Sequence, residues 1–259
     1  DDRSDDDTVS LVGRLADPAA IFDKIVQLLT PGDLYGTHVV VSAGGTREPI
    51  DAVRVIANRS SGKQGYAIAA EAVTRGAKVT LITTVERGAP FGAEIVEVET
   101  AAEMQDALTR VASSADVIIM AAAVADVRPK QSVKEKLRKD PLTGRIASLE
   151  TLELEATPDI LAGLGLTKRA DQVIVGFAAE TDNLIEHARS KLDRKNVDLI
   201  VANNVADPGV GFGHDTNAVT LIFRDLPPRE VPLADKRLVA REVLDSVVRI
   251  RSRHTKEPA

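Results

Sequence analysis

Cysteine is absent from the 259 residues, and with it go thiol nucleophiles, disulfides, iron–sulfur clusters and cysteine-ligated zinc. Tryptophan is absent too, and aromatics make up 3% of the chain, so few platforms exist on which single-stranded nucleic acid could stack. The four histidines, His38, His187, His214 and His254, fall at no metal-ligand spacing. No apolar run approaches the roughly 18 residues of a membrane span, and the acidic start lacks a secretory-signal pattern. These absences predict a cytoplasmic protein with no membrane partner. Positive charge is also in deficit. Lys+Arg number 33 against 39 Asp+Glu, a net charge of -6, so no global field draws in nucleic acid and any polyanion must be met by local cations.

What remains is an aliphatic chain, 44% hydrophobic, organised in alternating runs. Residues 1–33 form an acidic tail and connector, with a short amphipathic helix expected from Asp17-Pro18 through Ile21, Phe22, Ile25, Leu28 and Leu29 to Pro31-Gly32. From His38 onward, short β-branched runs alternate with helical periodicity: Val39–Val41; Tyr66, Ala69, Ala70 and Val73; Val79–Ile82; Ile95–Val98; Met104, Leu108 and Val111; Val117–Met120. Thr100 and Glu103 are spaced as a capping box. The alternation resumes with Val173–Val175, a helix over 182–194, Leu199–Val201, a strand over 218–223 and a terminal helix over 234–250. Such order predicts an α/β fold, a Rossmann-like wound, mostly parallel sheet. Between Val133 and Leu154, two extended arms around Asp140-Pro141-Leu142-Thr143-Gly144 predict a projecting hairpin flap.

In wound sheets, ligands bind beyond the carboxyl ends of the strands. The glycine-rich stretch 42–51 lies there, but its spacing is not that of a dinucleotide fingerprint, and the second strand ends in Thr83-Thr84 rather than an acidic ribose-binding residue, with Glu86 close by. Asn58-Arg59-Ser60-Ser61-Gly62-Lys63-Gln64-Gly65 crowds hydroxyls, glycines and cations before a helix, a composition that suits either a phosphate cradle or a plain serine-capped start. Thr157-Pro158-Asp159-Ile160 reads as an N-cap and N1 proline. Lys191 and Lys195 are a like-charge pair on one helical face. Small residues at 121–125, followed by Asp126, would let backbone groups approach a base edge and put a carboxylate near a sugar hydroxyl or a cation. These features are compatible with a nucleotide-using ligase, a nicotinamide-dependent oxidoreductase or a non-catalytic nucleotide sensor.

Taken together, 45–51, Arg54, Asn58, 60–63, 121–126, Lys136, 177–181, 194–196, 201–203 and 211–218 resemble bacterial phosphopantothenoylcysteine synthetase, from about Leu34 to the end. The resemblance implies two parts: 1–33 as the tail of an upstream flavin-dependent decarboxylase, and 34–259 as the synthetase domain. It further implies a ligation of 4′-phosphopantothenate to L-cysteine through an acyl-cytidylate, with CTP as co-substrate and Mg2+ as cofactor. FMN would belong only to the upstream decarboxylase domain. A homodimer is implied as well. Carried over residue by residue, Asn58 matches the acyl-cytidylate contact and Lys136 a flap lysine linked to the triphosphate. Ala123, Asp126, Pro158, Asp159, Ile160, Phe177, Lys191 and Lys195 match nucleotide-binding positions, and Arg54 and Lys139 match substrate or interface positions. CTP over ATP and the metal ligands stay undetermined at this level.

Overall fold

A computed structural model describes residues 32–180, 182–204 and 213–254, together with positions 21, 22, 25 and 29; the side chains of 147 and 148 are excepted. Ile21, Phe22, Ile25 and Leu29 are helical and exposed, while the rest of the expected connector helix and tail lies outside the described residues. So do Gly211 and Phe212 of the 211–218 motif.

Eight strands form one sheet. In chain order they are β1 (His38–Ala43), β4 (Lys78–Thr83), β5 (Ala93–Glu97), β6 (Val117–Met120), β9 (Val173–Glu180), β10 (Leu199–Asn204), β11 (Thr216–Phe223) and β12 (Arg229–Asp235), lying side by side as β5-β4-β1-β6-β9-β10-β11-β12. The first six are parallel, and β11 and β12 add an antiparallel edge. The strand β12, over the polar 229–235, has no clear apolar run and is not legible in the sequence.

The five inner parallel strands are buried on both faces, which is why they read as runs rather than alternations, while the edge strand β5 has no fully buried residue. Along β1, Val39 and Val41 face one core and Val40 the other. The first core is covered by α1 (Lys63–Thr74) and α6 (Lys236–His254), with Val239, Val243 and Val247 buried as their spacing predicts. The second is covered by α2 (Ala101–Ala112), α4 (Ile160–Leu166) and α5 (Leu184–Arg194). In α1, Ala70 is exposed and Ile68 and Ala72 are buried instead, so the inward stripe is shifted from the one read off the spacing. The capping box of α2 forms as expected, Thr100 accepting from the Glu103 N–H and Glu103 reaching back; such a cap stabilises by about 1 kcal/mol.

The projecting flap is confirmed in position and corrected in form. Its base is a short antiparallel pair, β7 (Val127–Pro129) with β8 (Leu154–Ala156). Residues 133–146 contain no strand, and Ala147–Glu150 make one helical turn, α3, where an extended arm was expected. A second hairpin, β2 (Arg47–Pro49) with β3 (Val55–Ala57), packs beside the first.

The stretch around 45–51 turns out to organise backbone. Thr46 Oγ1 accepts from the Ala125 N–H at 2.9 Å, and buried Glu48 accepts from the Ala101 N–H, at the start of α2, at 2.8 Å. Buried Asp51 accepts from the N–H groups of Val53, Arg54 and Leu137 and pairs with the Arg54 guanidinium. Burial alone would raise the Asp51 carboxyl; these donors overcome it and hold it at about 2 instead of the ordinary 3.8. Because the folded value lies below the unfolded one, this contribution is complete above about pH 4 and is lost as pH falls through the folded value. The melting temperature should therefore drop between about pH 4 and pH 2. In Asp51→Asn it should be lower at neutral pH, with a flatter acid limb. Identical acid limbs in thermal melts would assign the loss elsewhere.

Candidate functional site

Chain order runs from β1 outward to β4 and β5, then returns to β6 and proceeds to β9 and β10. The switch falls between β1 and β6, where crossover connections diverge and open a crevice at the carboxyl ends. An open cleft of about 430 Å³ lies there, lined by the 120–126 segment after β6, Phe177 of β9, Asn203 of β10 and the start of α1.

Nine of the residues expected from sequence line this one cleft: Asn58, Ala123, Asp126, Pro158, Asp159, Ile160, Phe177, Lys191 and Lys195. Lys136 and Lys139 do not; both are exposed on the flap. Arg54 also lies outside, where it pairs with Asp51 and donates to the Leu137 carbonyl at 3.4 Å, tying the β2–β3 turn to the flap.

The exposed Asn58 is held by a bond from its Nδ2 to the Val124 carbonyl at 2.9 Å, which orients the amide beside the 120–126 segment. The N-terminus of α1 is not serine-capped. Its N-cap is Gly62 in a left-handed conformation (φ 71), and no side chain caps the first turn. That conformation suits glycine, and the Gly62 N–H reaches Ser60 Oγ at 3.5 Å where both residues line the cleft.

Two expectations about backbone chemistry are revised. The Ala123 N–H donates to the Gly44 carbonyl at 2.8 Å, its carbonyl accepts from Thr46 at 3.3 Å, and Ala122 N–H donates to Ser42 Oγ at 3.2 Å. These groups tie β6's exit to β1's, so the Ala123 N–H is not a spare donor. Likewise Thr157-Pro158 is not the cap and N1 of α4. Asp159 is the N-cap, accepting from the Ala162 N–H at 3.0 Å, and the Thr157 hydroxyl donates to the Ala125 carbonyl.

The lysine pair also differs from its sequence image. Lys195 is the C-cap of α5 rather than a member of it, and each cation meets a carboxylate from elsewhere in the chain: Lys191 lies 3.7 Å from Glu180, and Lys195 pairs with Asp159. Burial lowers the Lys195 ammonium below its ordinary value, opposed by the nearby Asp126 charge. Among the described residues, no three His, Asp or Glu side chains gather as a metal cage. Asp126 is exposed at the cleft, and one carboxylate suffices for a Mg2+ that keeps waters and phosphate oxygens as its other ligands. Sequence reasoning missed Lys236 as a cleft residue and assigned no individual role to Asn203 or Asn217. Only Lys236 carried a signal, a cation at a helix start where the dipole disfavours one.

The chain matches the model of the DNA/pantothenate metabolism flavoprotein C-terminal domain over residues 34–250. It is 45% identical over 240 residues to the coenzyme A biosynthesis bifunctional protein CoaBC of Bacillus subtilis (strain 168), covering 91% of this chain and 57% of that protein. The CoaBC of Escherichia coli (strain K12) is 42% identical over 238 residues, with 91% and 58% covered. The chain thus spans under two thirds of the length of these relatives. A crystal structure of the C-terminal domain of a CoaBC superposes with TM-score 0.71 at 39% identity, covering 85% of this chain and 97% of that one. No helix among the described residues is long and apolar enough to cross a membrane.

Proposed function

Because the chain belongs to the DNA/pantothenate metabolism flavoprotein C-terminal domain family, we propose that it is a phosphopantothenate–cysteine ligase acting in coenzyme A biosynthesis. The supporting observation is that Asn58, Asp126, Phe177, Lys191 and Lys195, scattered over 138 positions, converge on one cleft at the switch point of the sheet.

A carboxylate and an amine do not condense unaided at neutral pH, because hydroxide is a poor leaving group. In the proposed reaction the carboxylate of 4′-phosphopantothenate attacks the α-phosphorus of CTP and pyrophosphate departs. The amine of L-cysteine then displaces CMP from the acyl-cytidylate. The chain's part is to position and to neutralise. Asn58, oriented by Val124, presents its remaining amide hydrogen to the oxygen that gains charge at the reacting centre. Phe177 offers a half-buried ring to the base, Ile160 and Pro158 wall the nucleoside, and Asp159 fixes the α4 turn and Lys195 together. Mg2+, held by phosphate oxygens with Asp126 as the fitting carboxylate, would neutralise phosphate charge.

Lys136 and Arg54 lie outside the cleft of their own chain, and the two hairpins that carry or adjoin them expose Val53 (62%), Val55, Val127 and Leu154. A second copy covering this apolar patch would form a homodimer and could bring Lys136 to the neighbour's triphosphate; a monomer by sedimentation would remove that arrangement. An upstream decarboxylase domain is the expected covalent partner, and FMN would reside there.

The deciding assay follows pyrophosphate release with phosphopantothenate, cysteine and each nucleoside triphosphate in turn. Release with CTP that requires phosphopantothenate is expected. Release with ATP alone would keep the ligase and replace its nucleotide. No release with any triphosphate would overturn the assignment.

A further inference from the structure

The flap carries its cations on a span with no strand or helix of its own. Residues 133–137 are irregular; Lys134, Glu135 and Lys136 are exposed, and Leu137 is half-buried. Such a span takes the position that its hydrogen bonds impose. Two of these come from the turn between β2 and β3, and they bracket the cations. The Ile50 carbonyl accepts from the Val133 N–H at 3.2 Å, and Asp51 Oδ2 accepts from the Leu137 N–H at 3.2 Å. The turn thus grips the span at each end, and Lys136 stands next to the second grip. Farther out, the tip closes on itself: the Asp140 N–H donates to the Arg145 carbonyl and the Gly144 N–H to the Asp140 carbonyl, both at 2.8 Å. Those bonds shape the tip without fixing its place on the sheet.

The two oxygens of Asp51 divide the work. Oδ1 accepts from the N–H groups of Val53 and Arg54 at 2.7 and 2.8 Å, which closes the turn. Oδ2 adds nothing to the turn's main chain. It takes the Leu137 N–H and the Arg54 guanidinium, whose Nη1 also donates to the Leu137 carbonyl at 3.4 Å. One ion pair therefore holds Leu137 by both its N–H and its carbonyl. A turn of this kind requires a single side-chain acceptor, which asparagine supplies without burying a charge. The Asp51 side chain is nevertheless a carboxylate with 0% exposure. Its second oxygen and its charge serve the flap.

We propose that Asp51 is a positioning residue for Lys136: through Oδ2 it fixes the peptide joining Lys136 to Leu137, and so holds the flap cation in one place instead of letting it sweep through solvent. That Lys136 matters to turnover rests on the ligase reading; that Asp51 anchors it does not. A cation on an anchored backbone has less freedom to lose when it meets an anion, so the anchor acts on the reaction without touching the substrate.

Asp51→Asn separates the two oxygens, because the amide keeps an acceptor for Val53 and Arg54 and turns a donor toward the Leu137 N–H. Trypsin reads the anchor directly, since the Lys136–Leu137 bond it cuts is the one Asp51 holds. Cleavage there should be about tenfold faster in the variant, the order expected for one lost charge-assisted hydrogen bond, with cleavage after Arg145 in the tip unchanged. Pyrophosphate release should slow about tenfold, yet in the Lys136→Gln background the same substitution should change it by less than about twofold; a merely destabilised chain would lose the same factor in both backgrounds. Equal cleavage after Lys136 in parent and variant, a parallel rise after Arg145, or the same loss of turnover with and without Lys136 would each overturn the proposal. Should Asp51→Asn fail to fold, amide hydrogen exchange of the wild-type chain decides. The Leu137 N–H should exchange about tenfold more slowly than those of Lys134 and Arg138, and equal rates would remove the anchor. A wild-type chain that releases no pyrophosphate with any triphosphate would instead sink the ligase reading, while the cleavage and exchange rates still judge the anchor.

Discussion

Asn58→Ala should leave CTP binding within about twofold of the parent while lowering the rate of acyl-cytidylate formation by about 10²–10³, the range for removing one donor from a charge-stabilising site. The asymmetry follows from position. The amide is exposed at the cleft and carries no core packing, and one of its hydrogens is already committed to the Val124 carbonyl. The other therefore points from a fixed amide, so it costs no reorganisation when charge develops. Asn58→Asp is the sharper companion: it keeps the shape, loses the donor and adds a repelling charge beside phosphate. Single-turnover pyrophosphate release, run beside a CTP titration, separates the outcomes. Lost CTP affinity with normal turnover of bound substrate would move Asn58 from the reacting centre to the nucleotide subsite.

Gly165→Ala should cost about 1–3 kcal/mol, a fall in melting temperature of roughly 2–12 °C at the usual exchange for a chain this size, and should weaken CTP binding as well. Helix propensity alone predicts the reverse, since alanine gains about 1 kcal/mol over glycine inside a helix. The tertiary contact decides against it. A Cβ at Gly165 would lie 1.8 Å from the Lys195 carbonyl oxygen, a backbone atom that cannot swing away, and the Gly165 carbonyl is tied to the Asn196 amide at 2.9 Å. To admit the methyl, the end of α4 must part from the end of α5. Asp159 and Lys195, the N-cap of one helix and the C-cap of the other, pair at the cleft, so the strain reaches it. A variant that melts at or above the parent temperature would show that the two ends can separate cheaply.

How much of this could be read along the chain depends on the range of the forces involved. The β-branched runs, the helical stripes and the Thr100–Glu103 box are local patterns, enforced by periodicity and by bonds within a few residues. They specified a wound parallel sheet, the existence of a flap and the carboxyl rim where the cleft lies. The family motifs went further and named nine residues that meet in one cleft.

Charge compensation was not legible, because it is set by which strand lies beside which. Lys191 and Lys195 look like an unbalanced pair in sequence, yet the pairing of β9 with β10 and the packing of α4 supply Glu180 and Asp159. Lys236 looks like an ordinary surface lysine at a helix start, yet the fold buries it between α1 and the segment before β11, beside two other cations. The stretch at 45–51 looks like a ligand loop; in space Thr46, Glu48 and Asp51 instead collect N–H groups from the 125 segment, α2 and the flap. The order of elements and the identity of the rim thus belong to the sequence by itself. Only the tertiary structure decided which carboxylate meets which cation in the cleft, since Coulomb energy follows distance in space rather than separation along the chain.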